Sequence, residues 1–387
     1  MPPVGNIQLG RLGRLFAMAE STYSTAPVIT ATQAVRHLNA ELSFNRFKYT
    51  NANDRFRTPE VRRRTQHEAE AGFDIKSMAM WPSGTIGTAP EADALLLNAF
   101  GAKHAAALTT TIASSPTSTG ATLTSGTGLQ VGDMALINVT GDKRRAVRLQ
   151  TVAGAVVTWT PALTVVPTVA DTFKTGTTYS PGTELASSIY LAHYLVNNGV
   201  TFSREILGGV VDTFGFTLEQ AQEPLMNFAG PAQFQNRPSS QSEPGAFTTV
   251  GTALPTGMTA SVIVGASTAA KIKKIVTTIK NNEVVRIGEM GKDRASDYYR
   301  KDQREVTLVI DAFVEDPTIF YALGESGAPT SIFIQIGFTE GQVWAFYYPS
   351  VSIEIPQTPD GDNELNWSFK GMALGTVGND ECYVANL

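Results

Sequence analysis

Cysteine occurs once in the 387 residues, at Cys382, and histidine four times, at His37, His67, His104 and His193. A single thiol cannot close an intramolecular disulfide, and histidines so scattered lack metal-ligand spacing, so neither a disulfide scaffold nor a zinc protein is expected. No stretch of eighteen apolar residues occurs, and the first thirty residues set Arg11, Arg14 and Glu20 among Gly, Ser and Thr without the apolar centre of a secretory signal. This reads as a soluble chain made in a cytoplasm, with no membrane anchor. The motifs G-x-S-x-G and H-E-x-x-H are missing too, and no carboxylates pair convincingly, so no catalytic residue, metal or cofactor is expected and the chain reads as a non-enzyme. Charge is sparse, at 17% of residues, against about 25% in ordinary domains.

What is present favours strands. With 42% hydrophobic residues the chain can bury a core, and 34 Gly with 20 Pro favour strands and turns over long helices. The length suits two or three domains. Ten Lys/Arg against four Asp/Glu give residues 1–64 a charge of +6, so the remainder carries −11 of the total −5. A basic end and an acidic body fit self-association better than a nucleic-acid arm, because the basic residues are spread through strand-like sequence.

Two helices announce themselves. Ala89–Gly101 has Pro90 at the first helical position, acids in the first turn and Gly just past the end. Asp316–Gly324 repeats that grammar with Asp316 as N-cap. Each follows a strand, Gly72–Trp81 and Glu305–Phe313. Each of those strands follows a charged loop, 50–66 and 286–304, which itself follows a strand, 38–49 and 272–285. Downstream, Val200–Ile206 and Phe216–Glu219 lead to Leu225–Gly230, as Val343–Tyr348 and Val351–Ile355 lead to Leu365–Gly371; both series end Phe-x-Gly. The same order twice predicts two units of one fold.

From Pro90 to Gly230 is 140 residues and from Pro317 to Gly371 is 54, so the first unit carries about 86 extra. Residues 104–132 hold no Asp, Glu, Lys or Arg, and 109–127 hold eight Thr and four Ser. Met134–Val139, Ala146–Val152 and Ala155–Trp159 then read as short strands. The predicted organisation is a first domain over 1–104 and 179–235, a Thr-rich tether with a small inserted β module over 105–178, and a second domain over 236–387.

Alternation in the last strand puts Leu365, Trp367 and Phe369 on a core face and Asn366, Ser368 and Lys370 on a polar one. Matching Phe228 to Phe369 turns Pro224, Met226 and Phe228 inward and Leu225, Asn227 and Ala229 outward. On Glu305–Phe313, Val306, Leu308 and Ile310 oppose Glu305, Thr307 and Asp311. Arg62, Arg63 and Arg64 lack interleaved aromatics and read as a solvated or inter-subunit loop before a phosphate grip. Asp360–Glu364 lacks calcium-loop spacing and reads as a hairpin turn, and Gly126–Gly132 as a turn before a strand. Trp344, Phe346, Tyr347 and Tyr348 read as a buried strand before a sugar-stacking platform.

This ordered set resembles the tail tube (major tail) proteins of long-tailed bacteriophages. The opening Gly13–Pro27, an apolar stretch, a Glu, then Thr-Tyr and a small residue before Pro, is similar to that family's start, as are the helix after a strand, the long charged loop and the Phe-x-Gly strand. The resemblance covers both halves and omits 105–178. It implies a mainly β fold of sandwich or open-barrel units, each with one short helix, whose hairpins join a large barrel around a channel that passes DNA without chemistry or sequence-specific binding. It also implies stacked rings of this chain, other tail proteins (tape measure, terminator, distal tail) as partners, and a place in the virion tail, here a non-contractile one. Asn227, Glu305, Thr307, Asp311, Asn366, Ser368 and Lys370 are then expected to line the lumen. Arg55, Arg57, Arg62, Arg63, Arg64, Lys292, Arg294 and Arg300 are expected between rings. Two units per chain in a six-position ring predict three chains per ring, with the module projecting outside. The alternatives are a head or decoration protein and a carbohydrate-binding adhesin.

Overall fold

The computed structural model describes residues 13–45, 49–52, 63–66, 70–183, 187–197, 200–235, 244–245, 253–265, 271–313, 318–355 and 366–387. Strands dominate, in keeping with the predicted mainly β class, and two short α-helices accompany them. In chain order β1 (Gly13–Ala19), β2 (Ala34–Val35), β3 (Asn39–Asn45), β4 (Tyr49–Ala52), β5 (Arg63–Gln66) and β6 (Glu70–Ala79) precede α1 (Asp93–Phe100). Then come β7 (Gly101–Ala105), β8 (Thr109–Thr117), β9 (Gly120–Leu123), β10 (Met134–Asn138), β11 (Arg144–Ala153), β12 (Val156–Thr160), β13 (Thr172–Thr175) and β14 (Thr177–Pro181). The chain continues with β15 (Ile189–Asn197), β16 (Val200–Gly209), β17 (Thr213–Glu219), β18 (Leu225–Ala232), β19 (Phe234–Gln235), β20 (Ala260–Val264), β21 (Ile272–Lys280), β22 (Glu283–Arg286), β23 (Asp297–Arg300) and β24 (Glu305–Phe313). After α2 (Thr318–Ser326) it ends in β25 (Thr330–Ile336), β26 (Trp344–Ile353), β27 (Asn366–Ala373) and β28 (Tyr383–Asn386).

One strand order occurs twice. In the first copy β3 pairs with β6, β6 with β18 and β18 with β17, while β1, β15 and β16 form a second layer. In the second, β21 pairs with β24, β24 with β27 and β27 with the end of β26, while β20, β25 and the start of β26 form the second layer. The registers repeat as well: Asn45 faces Glu70 in the first copy, and 235 residues further on Lys280 faces Glu305. By the same register Asp74 corresponds to Val309 and Ala229 to Lys370, offsets of 235 and 141, so the first copy holds 94 extra residues. The expected 86 came from matching Pro90 to Pro317, whereas the register matches Pro317 to Pro82.

The copies join edge to edge, because β17 pairs with β21 over Thr213–Glu219. One sheet therefore runs β3–β6–β18–β17–β21–β24–β27–β26. Its inner face and the second layers enclose the main core, where Phe216 of β17 stacks on Phe346 of β26 with centroids 4.0 Å apart. Helix α1 plugs that core with Leu95, Leu96, Ala99 and Phe100, and stops at Gly101, whose φ of 97° is left-handed. The helix starts at Asp93, three residues after Pro90, because Pro90 accepts the Asp93 N–H in a turn. Asp316 lies outside the described residues.

The Thr-rich stretch is not a tether. Thr109–Thr117 and Gly120–Leu123 are strands of a closed six-stranded barrel, β10–β11–β12–β9–β8–β13. Branched threonines suit a pleated wall: Thr111 and Thr124 bond hydroxyl to hydroxyl at 2.9 Å while Ile112 fills the barrel with Trp159 and Phe173. The barrel is also docked rather than hung. Its Met134, Leu136 and Ala146 pack on Phe333, Tyr347, Tyr383 and Ala385 of the second copy's outer layer, and its stem, β7 with β14, pairs onto β28. Arg148 Nη2 donates to Tyr383 Oη at 2.9 Å, and the Ala146 N–H donates to Gln335 Oε1 at 2.9 Å. Deleting 107–176 with a short linker, expected from composition to leave assembly intact, is instead predicted to uncover that apolar face and give aggregation-prone protein. Recovery of soluble, cooperatively melting material would contradict it.

Candidate functional site: the uncovered face of the long sheet

Cross-strand rows on the outer face of the long sheet follow from the registers. One row is Ser368, Asp311, Lys274 and Glu219; the next is Lys370, Val309, Val276, Thr217, Leu225 and Ala79. A third is Met372, Thr307, Thr278, Gly215 and Asn227, and a fourth is Glu305, Lys280, Thr213, Ala229, Asp74 and Glu41. Residues between them, such as Val306, Leu308, Ile310, Phe214, Phe216 and Phe228, are buried beneath. The face is small, hydroxylic and charged, and among the described residues no second layer covers it over β17 to β27.

Its charges are of mixed sign and mutually close. The rows bring together Glu41, Asp74, Glu219, Glu305 and Asp311 with Lys274, Lys280 and Lys370, and Lys76 stands beside Asp74 at 2.8 Å. Lys274 lies 3.6 Å from Glu219. Lys370 accepts at its carbonyl the Glu354 N–H at 2.8 Å, so Glu354 is its cross-strand neighbour. Six acids to four lysines leave this face slightly negative, with no arginine in these rows. Exposed pairs of this kind add little stability, about 0–1 kcal/mol each, so the arrangement matters for surface potential and not for folding.

The sequence-predicted lumen residues Asn227, Glu305, Thr307, Asp311, Ser368 and Lys370 all fall on this one face. Asn366 opens β27 opposite Phe313, and its side chain is outside the described ones. Alternation did not reveal Lys274, Lys280 and Thr278, because Val276 sits among them and a bulge between Ile272 and Lys274 breaks the period. On β6 a second bulge puts Ser77 at a φ of 55°, and its N–H donates to Asn227 Oδ1 at 2.7 Å. That bond fixes the one amide in the third row.

No family model matches the chain, and no curated protein matches its sequence.

The residues expected between rings divide differently. Arg55, Arg57 and Arg62 lie outside the described residues, and Arg63 and Arg64 open β5 with side chains outside the described ones. Lys292 is exposed. Arg300 and Arg294 make contacts within the chain: Arg300 Nη2 is 3.2 Å from buried Glu283, and the Arg294 guanidinium lies 3.5 Å over the Phe234 ring. The 286–304 segment thus folds sideways onto the first copy.

Other chemistry is thin. His37 and His193 meet edge to face at 5.3 Å, and burial holds both imidazoles below their ordinary pKa, His193 at about 4. His104 Nδ1 is 2.5 Å from Asp133. Among the described residues no three His, Cys, Asp or Glu cluster as metal ligands, and no helix is long and apolar enough to cross a membrane. Trp344, Phe346, Tyr347 and Tyr348 are buried, leaving no aromatic platform on β26.

Proposed function

We propose that this chain is a structural subunit of a long-tailed bacteriophage tail tube, which assembles into stacked rings whose channel delivers DNA. The observation that carries the reading is the pairing of β17 with β21: two copies of one strand order share a single sheet with a polar, uncovered face. An open sheet with unpaired edges is a liability, and closure into a barrel removes it. Among the described residues β3 pairs only with β6, and Ser352 and Ile353 at the end of β26 only with β27. β3 is the counterpart of β21, and the counterpart of β17 is 354–360, which continues β26 and of which 356–360 lie outside the described residues; the pairing inside the chain, repeated between these two segments of neighbouring chains, would extend the sheet around a ring.

Six positions of the resembling family's ring and two copies per chain give three chains. A slightly negative, hydroxylic wall suits a duct for DNA, because cationic contacts would capture phosphates and retard passage. The inserted barrel rests on the layer remote from this face, which suits a place outside the tube. Tape measure, terminator and distal tail proteins are the partners that such a tube requires, and a non-contractile tail leaves room for the outer barrels. Electron microscopy of purified, concentrated protein is expected to reveal hollow tubes or stacked rings. Discrete monomers under every condition would contradict the proposal.

A further inference from the structure

The second layers of the two copies differ at one edge. In the first copy β1 pairs with β15 on one side and with β2 on the other, where Leu15 faces Val35 and Phe16 faces Ala34. Strand β20 holds the place of β1 in the second copy, because β20, β25 and β26 pair in the order of β1, β15 and β16. Among the described residues, however, β20 pairs only with β25. The Gly337 N–H donates to the Thr259 carbonyl at 3.0 Å and the Gly265 N–H to the Ser331 carbonyl at 2.7 Å, so every second residue from Thr259 directs its backbone groups at β25. Val262 therefore turns both its N–H and its carbonyl away from β25. Ala260 turns its carbonyl the same way, while its N–H donates to the Gly257 carbonyl. An unpaired row of this kind is a template for an added strand.

A groove lies on each face of that edge. On the core side, Ala260 and Val262 border a groove of about 470 Å³ whose lining includes buried Leu218 and Ile275 and three lysines, Lys271, Lys273 and Lys274. No Asp or Glu lines it; Lys271 and Lys273 are exposed, and Lys274 stands 3.6 Å from Glu219. On the other side, Ile263 borders a groove of about 250 Å³ against the inserted barrel, lined by Pro161, Ala162, Leu163 and Phe333. Side chains of an added strand alternate between the two faces in step with those of β20. Those opposite Ala260 and Val262 meet the lysines, and those between them meet the apolar groove. We propose that β20 is a docking edge for an extended acidic peptide of a partner protein, in which carboxylates alternate with small apolar residues. Its backbone pairs with Ala260 and Val262, its acids reach the lysines, and its apolar side chains fill the groove beside the barrel. The inference stands apart from the tube reading, because it needs only the edge, the lysines and the grooves of a single chain.

The test is fluorescence anisotropy of a labelled, end-capped Glu-Val-Glu-Val-Glu-Val-Glu peptide titrated with dilute full-length protein. Saturable binding is expected, and a peptide with Lys in place of Glu should bind at least about tenfold more weakly. Val262→Pro removes the outward N–H and leaves the bonds to β25, since proline is tolerated where an edge strand's N–H is unpaired. That variant should melt near wild type and lose at least about tenfold in affinity, whereas Val262→Thr, which keeps the N–H, binds as wild type does. Lys273→Glu, at an exposed position, should weaken binding to a similar degree and decides the matter alone if the proline variant does not fold. No saturable binding by wild type, equal binding of the lysine peptide, or unchanged affinity in Val262→Pro or Lys273→Glu would overturn the proposal. Dimerisation of the peptide-free protein that Val262→Pro abolishes would give the edge to a second copy of this chain and overturn the assignment to a partner.

Discussion

Alanine at Gly230 is expected to cost about 3–5 kcal/mol of folding stability, more than the same change at Gly371. A Cβ on Gly230 would sit 1.8 Å from the Val210 carbonyl oxygen and 2.9 Å from the Asp212 nitrogen, both backbone atoms. That backbone cannot retreat easily, because the Val210 and Asp212 N–H groups donate to the carbonyls of Pro231 and Ala229, each at 3.0 Å. At Gly371 the nearest atom is a Val351 methyl at 2.8 Å, which can move. The registers make Val351 the counterpart of Val210, so both Phe-x-Gly glycines abut the point where the chain leaves the outer layer for the long sheet. Denaturant midpoints should therefore fall in the order wild type, Gly371→Ala, Gly230→Ala. A reversed order would show that the bend at 210 yields.

Replacing Arg304 with alanine is expected to cost about 3–5 kcal/mol at pH 8. Its side chain is 4% exposed, and its Nε donates to Asn281 Oδ1 at 3.0 Å. Asn281 Nδ2 in turn donates to the carbonyls of Ala99 and Val211, at 2.9 Å each, so one polar knot ties α1, the first copy's bend and the base of the second hairpin. Arg304 also faces Glu381 at 3.8 Å and contributes, with Arg300, to holding buried Glu283 in check. Burial still pushes the Glu283 carboxyl up to about 7, from 4.5 in an unfolded chain. The folded protein thus binds a proton on Glu283 that the unfolded chain lacks between these values, and this contribution to stability is fully present below pH 4.5 and lost as pH rises through 7. Below pH 5 the carboxyl is neutral and needs its cations less. The Arg304→Ala deficit should therefore shrink between pH 8 and pH 5, as read by urea unfolding at both values. A deficit independent of pH would mean that the loss comes from Asn281 alone.

Much of the fold was legible in the sequence because repetition is visible without any structure. Strand, charged loop, strand, helix and Phe-x-Gly recur, and period two in Glu305–Phe313 and in Asn366–Lys370 assigned faces by residue. What escaped did so for physical reasons. Threonine serves equally in linkers and in strand walls, so 109–127 could not be told from a tether by composition. Bulges at Ser77 and before Lys274 shift side chains between faces and hide part of the outer rows. Pro82, not Pro90, corresponds to Pro317, and α1 begins eleven residues beyond Pro82, too far for matching landmarks to align. Lateral packing of Arg294 on Phe234 is a contact between residues sixty apart, which no local pattern records.

The central claim is that two copies in one chain fill two positions of a ring. Averaging end-on images of assembled tubes, together with the mass per ring, tests it directly. The account predicts three chains of 41.4 kDa per ring, true three-fold and approximate six-fold symmetry, and three barrels outside. Six full chains per ring, or barrels pointing into the lumen, would contradict it.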